Sequence, residues 1–456
     1  MSTSIPDSQR ISWFSIMRDP AMSKLIVNMA LSGLSYGIYS NMIYFLLLYL
    51  DPVNYAGDFA LYYGVFQITI SLALPFAGVL TDKVGRKPML ILGATTTALG
   101  TFILPLARTW WDLLYASAAQ AVGFAFIGPA QNCVVADISK GYRREKAYSI
   151  TMSFSMAFGV IGTVALIVYT ALYQSLLPVD VSYQLPLLVA ALLSLMAAIP
   201  MFLIRIPKRP QEDKSCNSKS GIAVSTVAPL TGEKQKQSYE LPKSIWKNGV
   251  IMKVIAFQAI IGFGAGFLVP LFNYYWYNVF VGLQQYVIYT ISLLGELGTA
   301  VGGLASPWLA KRATRLGGRI GTTVTCQFLS IACAVYLATV PYYSVLLPAV
   351  IAFVVRMALM NMVNPLMQAM TMDHTPEEKR GRVNSLTSFA FNVPNGISPR
   401  LSTELIRSVP SPPGSAYGYT YSAAVLVTTY IFATTLLYTT KKKDKLLVKQ
   451  TRQVNE

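Results

Sequence analysis

Long apolar runs alternate with short polar breaks along nearly the whole chain. Residues 25–50, 59–81, 88–107, 113–136 and 181–204 contain no Asp, Glu, Lys or Arg. A run of this length can cross the roughly 30 Å hydrocarbon core of a bilayer as one helix. Four further uncharged stretches, 147–179, 254–295, 320–355 and 408–440, are too long for one crossing and must turn within themselves. The pattern predicts an all-α membrane protein with 12 transmembrane helices. Span 7 is expected to end in the aromatic run Asn273-Tyr274-Tyr275-Trp276-Tyr277-Asn278. That run fits an aromatic belt at the outer interface or an outer gate, with Asn273 turned inward.

Composition agrees with membrane insertion. The chain is 54% hydrophobic and only 12% charged, too few charges for a soluble protein of 456 residues. A net charge of +17 could suggest nucleic acid, but its distribution argues otherwise. If alternate loops are assigned to one side, starting from the N-terminus, all of the 37 Lys and Arg fall there except Arg108, Arg356, Arg400 and Arg407. This bias predicts a multi-pass cell-membrane protein with both termini cytoplasmic.

The same reading divides the chain into a lead-in (1–20), an N-terminal six-helix bundle (21–205), a polar linker (206–248), a C-terminal six-helix bundle (249–440) and a basic tail (441–456). The lead-in has Trp13, Phe14, Ile16 and Met17 among polar residues and does not read as a cleavable signal. The tail suits anionic membrane lipid. Cys133, Cys216, Cys326 and Cys333 suggest neither a disulfide nor a metal site, and the single histidine, His374, makes no metal centre.

Between spans 2 and 3 lies Gly78-Val-Leu-Thr-Asp82-Lys83-Val-Gly85-Arg86-Lys87. Gly78 and Gly85 should permit close packing and a tight bend. The segment resembles the signature loop of the major facilitator superfamily of transporters. The resemblance implies two pseudo-symmetric six-helix bundles, and implies that Asp82 and Arg86 help to hold one conformational state through contacts with the other half. Internal repetition supports this. A shift of 236 residues places Pro129 on Pro365, Asp137 on Asp373, Arg144 on Arg380, Ser149 on Ser385 and Thr151 on Thr387. A shift of 229 places Gly33 and Gly37 on Gly262 and Gly266. Asp137 with Arg143 and Arg144, and Asp373 with Arg380 and Arg382, read either as paired latches or as ordinary helix-end charge.

Ionisable groups at membrane depth are expensive and tend to be functional. Two stand out: Glu296 near the middle of span 8 and Arg356 near the middle of span 10. They could pair, face a shared cleft, or act separately. Glu296 would then couple protons or a cationic solute, and Arg356 would dock an anionic group. Tyr36, Tyr39 and Asn41 of span 1, and the stripe Asn361, Asn364 and Gln368 of span 10, are candidates to line a cavity. Asn392, Pro394 and Asn395 read as a break or hinge in span 11. No nucleotide-binding sequence, catalytic set or cofactor motif is legible, so an enzyme is not expected. The expected function is secondary active transport of a small organic solute by a monomer, with protons as a possible coupling ion. The alternative is a non-transporting sensor built on a transporter fold.

Overall fold

The computed structural model describes residues 18–138, 143–205, 246, 248–312, 318–375, 380–410 and 416–441. The first six spans are Pro20–Leu50, Tyr55–Lys83, Arg86–Ile103, Trp110–Ile138, Arg143–Leu172 and Val179–Leu203. Span 7 consists of Gly249–Gly266 and Phe272–Val279, joined by a 3-10 turn at Val269–Leu271. Spans 8 to 12 are Gln285–Arg312, Gly318–Tyr343, Leu346–Asp373, Arg380–Ser408 and Gly418–Tyr438. Ten of these are long and apolar enough to cross a membrane by composition alone; the other two are spans 8 and 11. Glu296 interrupts the first of these, and a run of Arg, Asn and Ser residues interrupts the second.

The helices pack as two bundles with the same internal neighbours. In the N-terminal half, span 1 lies against 5 and 6, span 4 against 2 and 3, and span 3 against 6. In the C-terminal half, span 7 lies against 11 and 12, span 10 against 8 and 9, and span 9 against 12. The halves meet along two seams, span 2 against span 11 and span 5 against span 8.

Glycines set the tightest of these contacts, and they do so in register between the halves. A Cβ at Gly33 would collide with the Ser155 carbonyl, and one at Gly37 with the Gly159 carbonyl. In the other half, a Cβ at Gly262 would collide with the Phe391 carbonyl, and one at Gly266 would stand 2.8 Å from the Asn395 carbonyl. Ser155 and Gly159 map onto Phe391 and Asn395 by the 236-residue shift. The repeat legible in sequence is therefore a repeat of helix–helix contacts, in which missing side chains let backbones approach.

Several local expectations change. Pro270 lies in the turn that interrupts span 7, where a missing N–H costs a helix its bond. Span 11, expected to break near Pro394, is one continuous helix through both Pro394 and Pro399. Membrane helices tolerate proline where neighbouring helices and side chains satisfy the freed backbone groups. The aromatic run of span 7 is not a lipid-facing belt: Tyr274, Tyr275 and Trp276 are buried, and Tyr277 is the half-exposed member. Gly85 adopts φ +105° and begins span 3, as a tight bend requires. Gly78 differs from expectation, since a Cβ there would meet only open space.

Hydrogen bonds tie the halves together from mid-span to the end opposite the termini. Tyr274 donates to the Tyr44 carbonyl, Tyr55 to Asn278, and Gln174 to Gln285. Arg407 donates to Asn54 at 3.1 Å, and the Arg400 guanidinium packs on Gly57. Arg400 and Arg407, exceptions to the charge bias, thus sit where the two halves close.

Candidate functional site

At mid-depth each seam carries polar contacts between the halves. On the span 2/span 11 seam, the Tyr63 hydroxyl donates to Asn395 Oδ1 at 2.6 Å and Gln67 Nε2 donates to the same oxygen at 3.1 Å. Asn395 is itself held by its Nδ2, which donates to the Gly262 carbonyl. Gly64 and Gly396 meet here, with a Cβ on Gly64 falling 2.6 Å from the Gly396 carbonyl.

On the span 5/span 8 seam, the Thr163 hydroxyl lies 3.3 Å from Glu296 Oε2. Thr163 is also within reach of the Gly37 and Gly159 carbonyls, and Asn41 Nδ2 approaches it at 3.4 Å. A hydroxyl carries one proton, so Thr163 donates either to the carboxyl of the opposite half or to a carbonyl of its own half, but not to both at once. Glu296 is half-buried. It is thus an ionisable side chain at the interface of the halves, on a hydroxyl that has alternatives.

Arg356 is placed elsewhere. It is 1% exposed and sits inside the C-terminal bundle, its guanidinium 5.7 Å from the Phe272 ring centre and 5.9 Å from that of Tyr430. Those rings belong to spans 7 and 12, and Glu296 is not its partner. Its Nε and Nη2 are buried without hydrogen bonds. The guanidinium is held by aromatic faces instead of a carboxylate.

The other candidates separate by partner. Asn273 is buried and accepts from Ser292 of span 8 at 2.6 Å. Asn361 donates to Thr299 of span 8 and to the Met357 carbonyl, and Asn364 donates to Asn361. Tyr39 is buried, whereas Tyr36, one turn earlier and edge-on to it, is 52% exposed at mid-span. The side chains of Asp82, Asp137, Arg144, Gln368, Asp373 and Arg380 lie outside the described residues. Gly78, expected in the loop, lies inside the span 2 helix, whereas Gly85 is in the turn and Arg86 begins span 3.

Each half also holds a cavity. One, of about 330 Å³, lies among spans 7, 10 and 11 toward the end that carries the termini. Gln258, Asn364, Asn384, Ser388, Phe391 and Asn392 are among its walls. The other, of about 150 Å³, lies within the N-terminal bundle. Its polar groups serve the bundle itself: Asn28 donates to the Ala197 carbonyl, Gln131 to Asn28, and Ser35 to the Ala190 carbonyl.

Sequence reasoning passed over Gln67, Thr163, Gln258, Asn384 and Ser388. Asn384, Ser388 and Asn392 had a visible signal, since residues four apart share one helix face. Thr163 had none, because hydroxyls in membrane helices commonly bond their own backbone.

The family model described as Major Facilitator Superfamily matches residues 13–399. A multidrug resistance protein, MdtH, of Sodalis glossinidius is 32% identical over 87 residues, which is 19% of this chain and 22% of that protein. The inner membrane transport protein YajR of Escherichia coli is 32% identical over 105 residues, 23% of this chain and 21% of that one. The alignments thus span about a fifth of the length of these curated relatives. Among solved structures, a POT family transporter in complex with 5-aminolevulinic acid superposes with TM-score 0.68 at 12% identity, covering 93% of this chain and 96% of that one. A bacterial homologue of the iron transporter ferroportin, in an inward-facing state, superposes with TM-score 0.65 at 15% identity, covering 94% of this chain and 100% of that one.

Proposed function

Because the chain belongs to the major facilitator superfamily, we propose that it is a secondary active transporter of a small organic solute, working by alternating access and coupled to protons at Glu296. The single observation that carries this reading is the Thr163–Glu296 contact between the halves at mid-depth. An ionised carboxylate only accepts hydrogen bonds, whereas the protonated acid can also donate. Proton occupancy at Glu296 therefore changes the bond that ties span 8 to span 5. Thr163 can turn to the Gly37 or Gly159 carbonyl when that bond is released. A proton thus gains a differential effect on two arrangements of the halves, which coupling requires.

The closed end opposite the termini and the cavity toward the termini describe one of these arrangements. With the basic loops placed on the cytoplasmic side, it is the inward-open one. Asn41, Tyr36 and Tyr39 support the wall of span 1 near the carboxyl, while Asn361, Asn364 and Gln368 belong to the facing stripe of span 10. In this reading Asn273 steadies span 8 through Ser292, and Arg356 braces the C-terminal bundle. Gly78, Asp82, Gly85 and Arg86, with the Asp137/Arg144 and Asp373/Arg380 sets, form the cytoplasmic fastening that releases when the cycle turns. The named activities of the relatives, multidrug resistance and membrane transport, agree with a small solute.

The test uses full-length protein in proteoliposomes holding a pH-sensitive dye, challenged with a panel of small solutes. Addition of a transported solute should shift the internal pH. Glu296→Gln should abolish that shift while leaving solute exchange within about twofold. A pH shift of unchanged size in the variant would remove Glu296 from coupling.

A further inference from the structure

Among the described walls of the 330 Å³ cavity there is no ionisable side chain. What converges there instead is hydrogen-bonding capacity without partners. Thr371 and Thr387 donate to the Met367 and Val383 carbonyls of their own helices, and Asn364 donates to Asn361. The side chains of Gln258, Asn384, Ser388 and Asn392 make no hydrogen bond among the described residues. Three of these four are carboxamides, each with two donors and an acceptor oxygen. Asn384, Ser388 and Asn392 follow one another at four-residue spacing along span 11, and Gln258 faces them from span 7. Phe391 and Met367 supply apolar surface beside them.

The matching positions of the N-terminal half are different. The 236-residue shift that carries Gly159 onto Asn395 carries Tyr148, Met152 and Met156 onto Asn384, Ser388 and Asn392. The amide stripe therefore belongs to the C-terminal half alone and is not demanded by the fold that both halves share.

We infer that the solute is an uncharged, polar molecule bearing several hydroxyl or amide groups, seated on the C-terminal half by Gln258, Asn384, Ser388 and Asn392. This rests on the transport reading above and goes beyond it by naming the solute's chemistry and its anchors. An ion entering the cavity would surrender hydration without meeting a compensating charge on the described walls, a large cost. A neutral solute exchanges bonds with water for bonds with amides on near-even terms. Its size suits the cavity, which is at the small end of the range for small-molecule sites.

The experiment measures thermal stabilisation of the purified full-length protein in detergent. The uncharged probes are uridine, glucose and nicotinamide; their charged counterparts are uridine monophosphate, glucuronate and nicotinate. At least one uncharged probe should raise the melting temperature saturably, with its counterpart at least about tenfold weaker. Asn392→Leu and Asn384→Leu should each weaken that probe about tenfold, the loss of one or two hydrogen bonds. Ser388→Ala, the milder change, should weaken it severalfold with the unliganded melting temperature unchanged. Equal or tighter binding of the charged counterpart would overturn the inference. So would unchanged binding in the Ser388 and Asn392 variants, or no stabilisation by any uncharged probe. Flux of the bound probe is measured separately in proteoliposomes. Binding without flux would leave the site standing and sink the transport reading. Flux of the charged counterparts alone would do the reverse.

Discussion

The two seams between the halves use matching positions but fill them with different groups. Gln67 and Glu296 are related by the same 229-residue shift that relates Gly33 to Gly262. Each reaches across from span 2 or span 8 to a side chain of span 11 or span 5. On one seam a neutral amide meets Asn395, with Tyr63 bonding the same oxygen. On the other an ionisable carboxyl meets a hydroxyl that can let go. Of these two matching positions, the carboxyl is the one that can take up or release a proton. The 229-residue shift relates the two positions, and an amide at one and a carboxyl at the other distinguish them.

The equivalence of the halves rests first on their glycine contacts. Gly37→Leu and Gly266→Leu should each cost about 3 kcal/mol or more, since a side chain is forced against a neighbouring helix. Both should abolish monodisperse protein on size exclusion, whereas Gly78→Leu, which faces open space, should behave as the unmodified chain. A large effect in one half only would refute the equivalence of the halves.

A smaller effect is expected where the halves close. Arg407→Ala removes the bond to Asn54. Hydrogen bonds involving a charged group are worth about 1.5–3 kcal/mol, less at an exposed site. A roughly fivefold faster labelling of Phe59→Cys, a buried position packed on Tyr274 of the other half, in that background would show the closed end loosened, and an unchanged rate would deny Arg407 this role.

The seams themselves come next. Gln67→Leu should shift the balance of states by about 0.6 kcal/mol, the typical worth of a polar contact between membrane helices. That is roughly a threefold change in solute exchange with proton coupling kept. Loss of coupling in this variant would erase the distinction drawn between the seams. The least disruptive change is Arg356→Met. Replacing a buried charge by an apolar side chain of similar volume is often neutral or stabilising. The melting temperature should hold or rise and exchange should persist. Abolished exchange at unchanged stability would move Arg356 from bracing the bundle to contacting the solute.

Much of this architecture was legible in the chain. Charge-free runs mark the spans, because lipid admits few charges. The glycine pairs mark the repeat, because two backbones can approach only where side chains are missing. What pattern could not give was direction. Glu296 and Arg356 look alike as isolated charges at mid-span, yet one reaches the seam and the other turns toward Phe272 and Tyr430. A rotation of about 100° per residue separates those outcomes, and an otherwise uniformly apolar helix offers no second face to set it. The aromatic run of span 7 misled for a related reason. Tyr and Trp suit both a membrane interface and a packed core with hydrogen-bond partners. Tyr274 and Tyr275 find theirs in the Tyr44 and Leu337 carbonyls. Span 11 looked breakable at Pro394 because sequence shows the missing donor but not the neighbours that offset its loss.

Gly64 and Gly396 bring main chain onto main chain between the halves. Neither glycine has a rotamer to interlock with the other, so a tilt of one bundle over the other need not disengage this pair. Such a joint behaves as a bare bearing. A bulky residue in place of either glycine would act like grit in it, slowing the interconversion without touching proton or cargo.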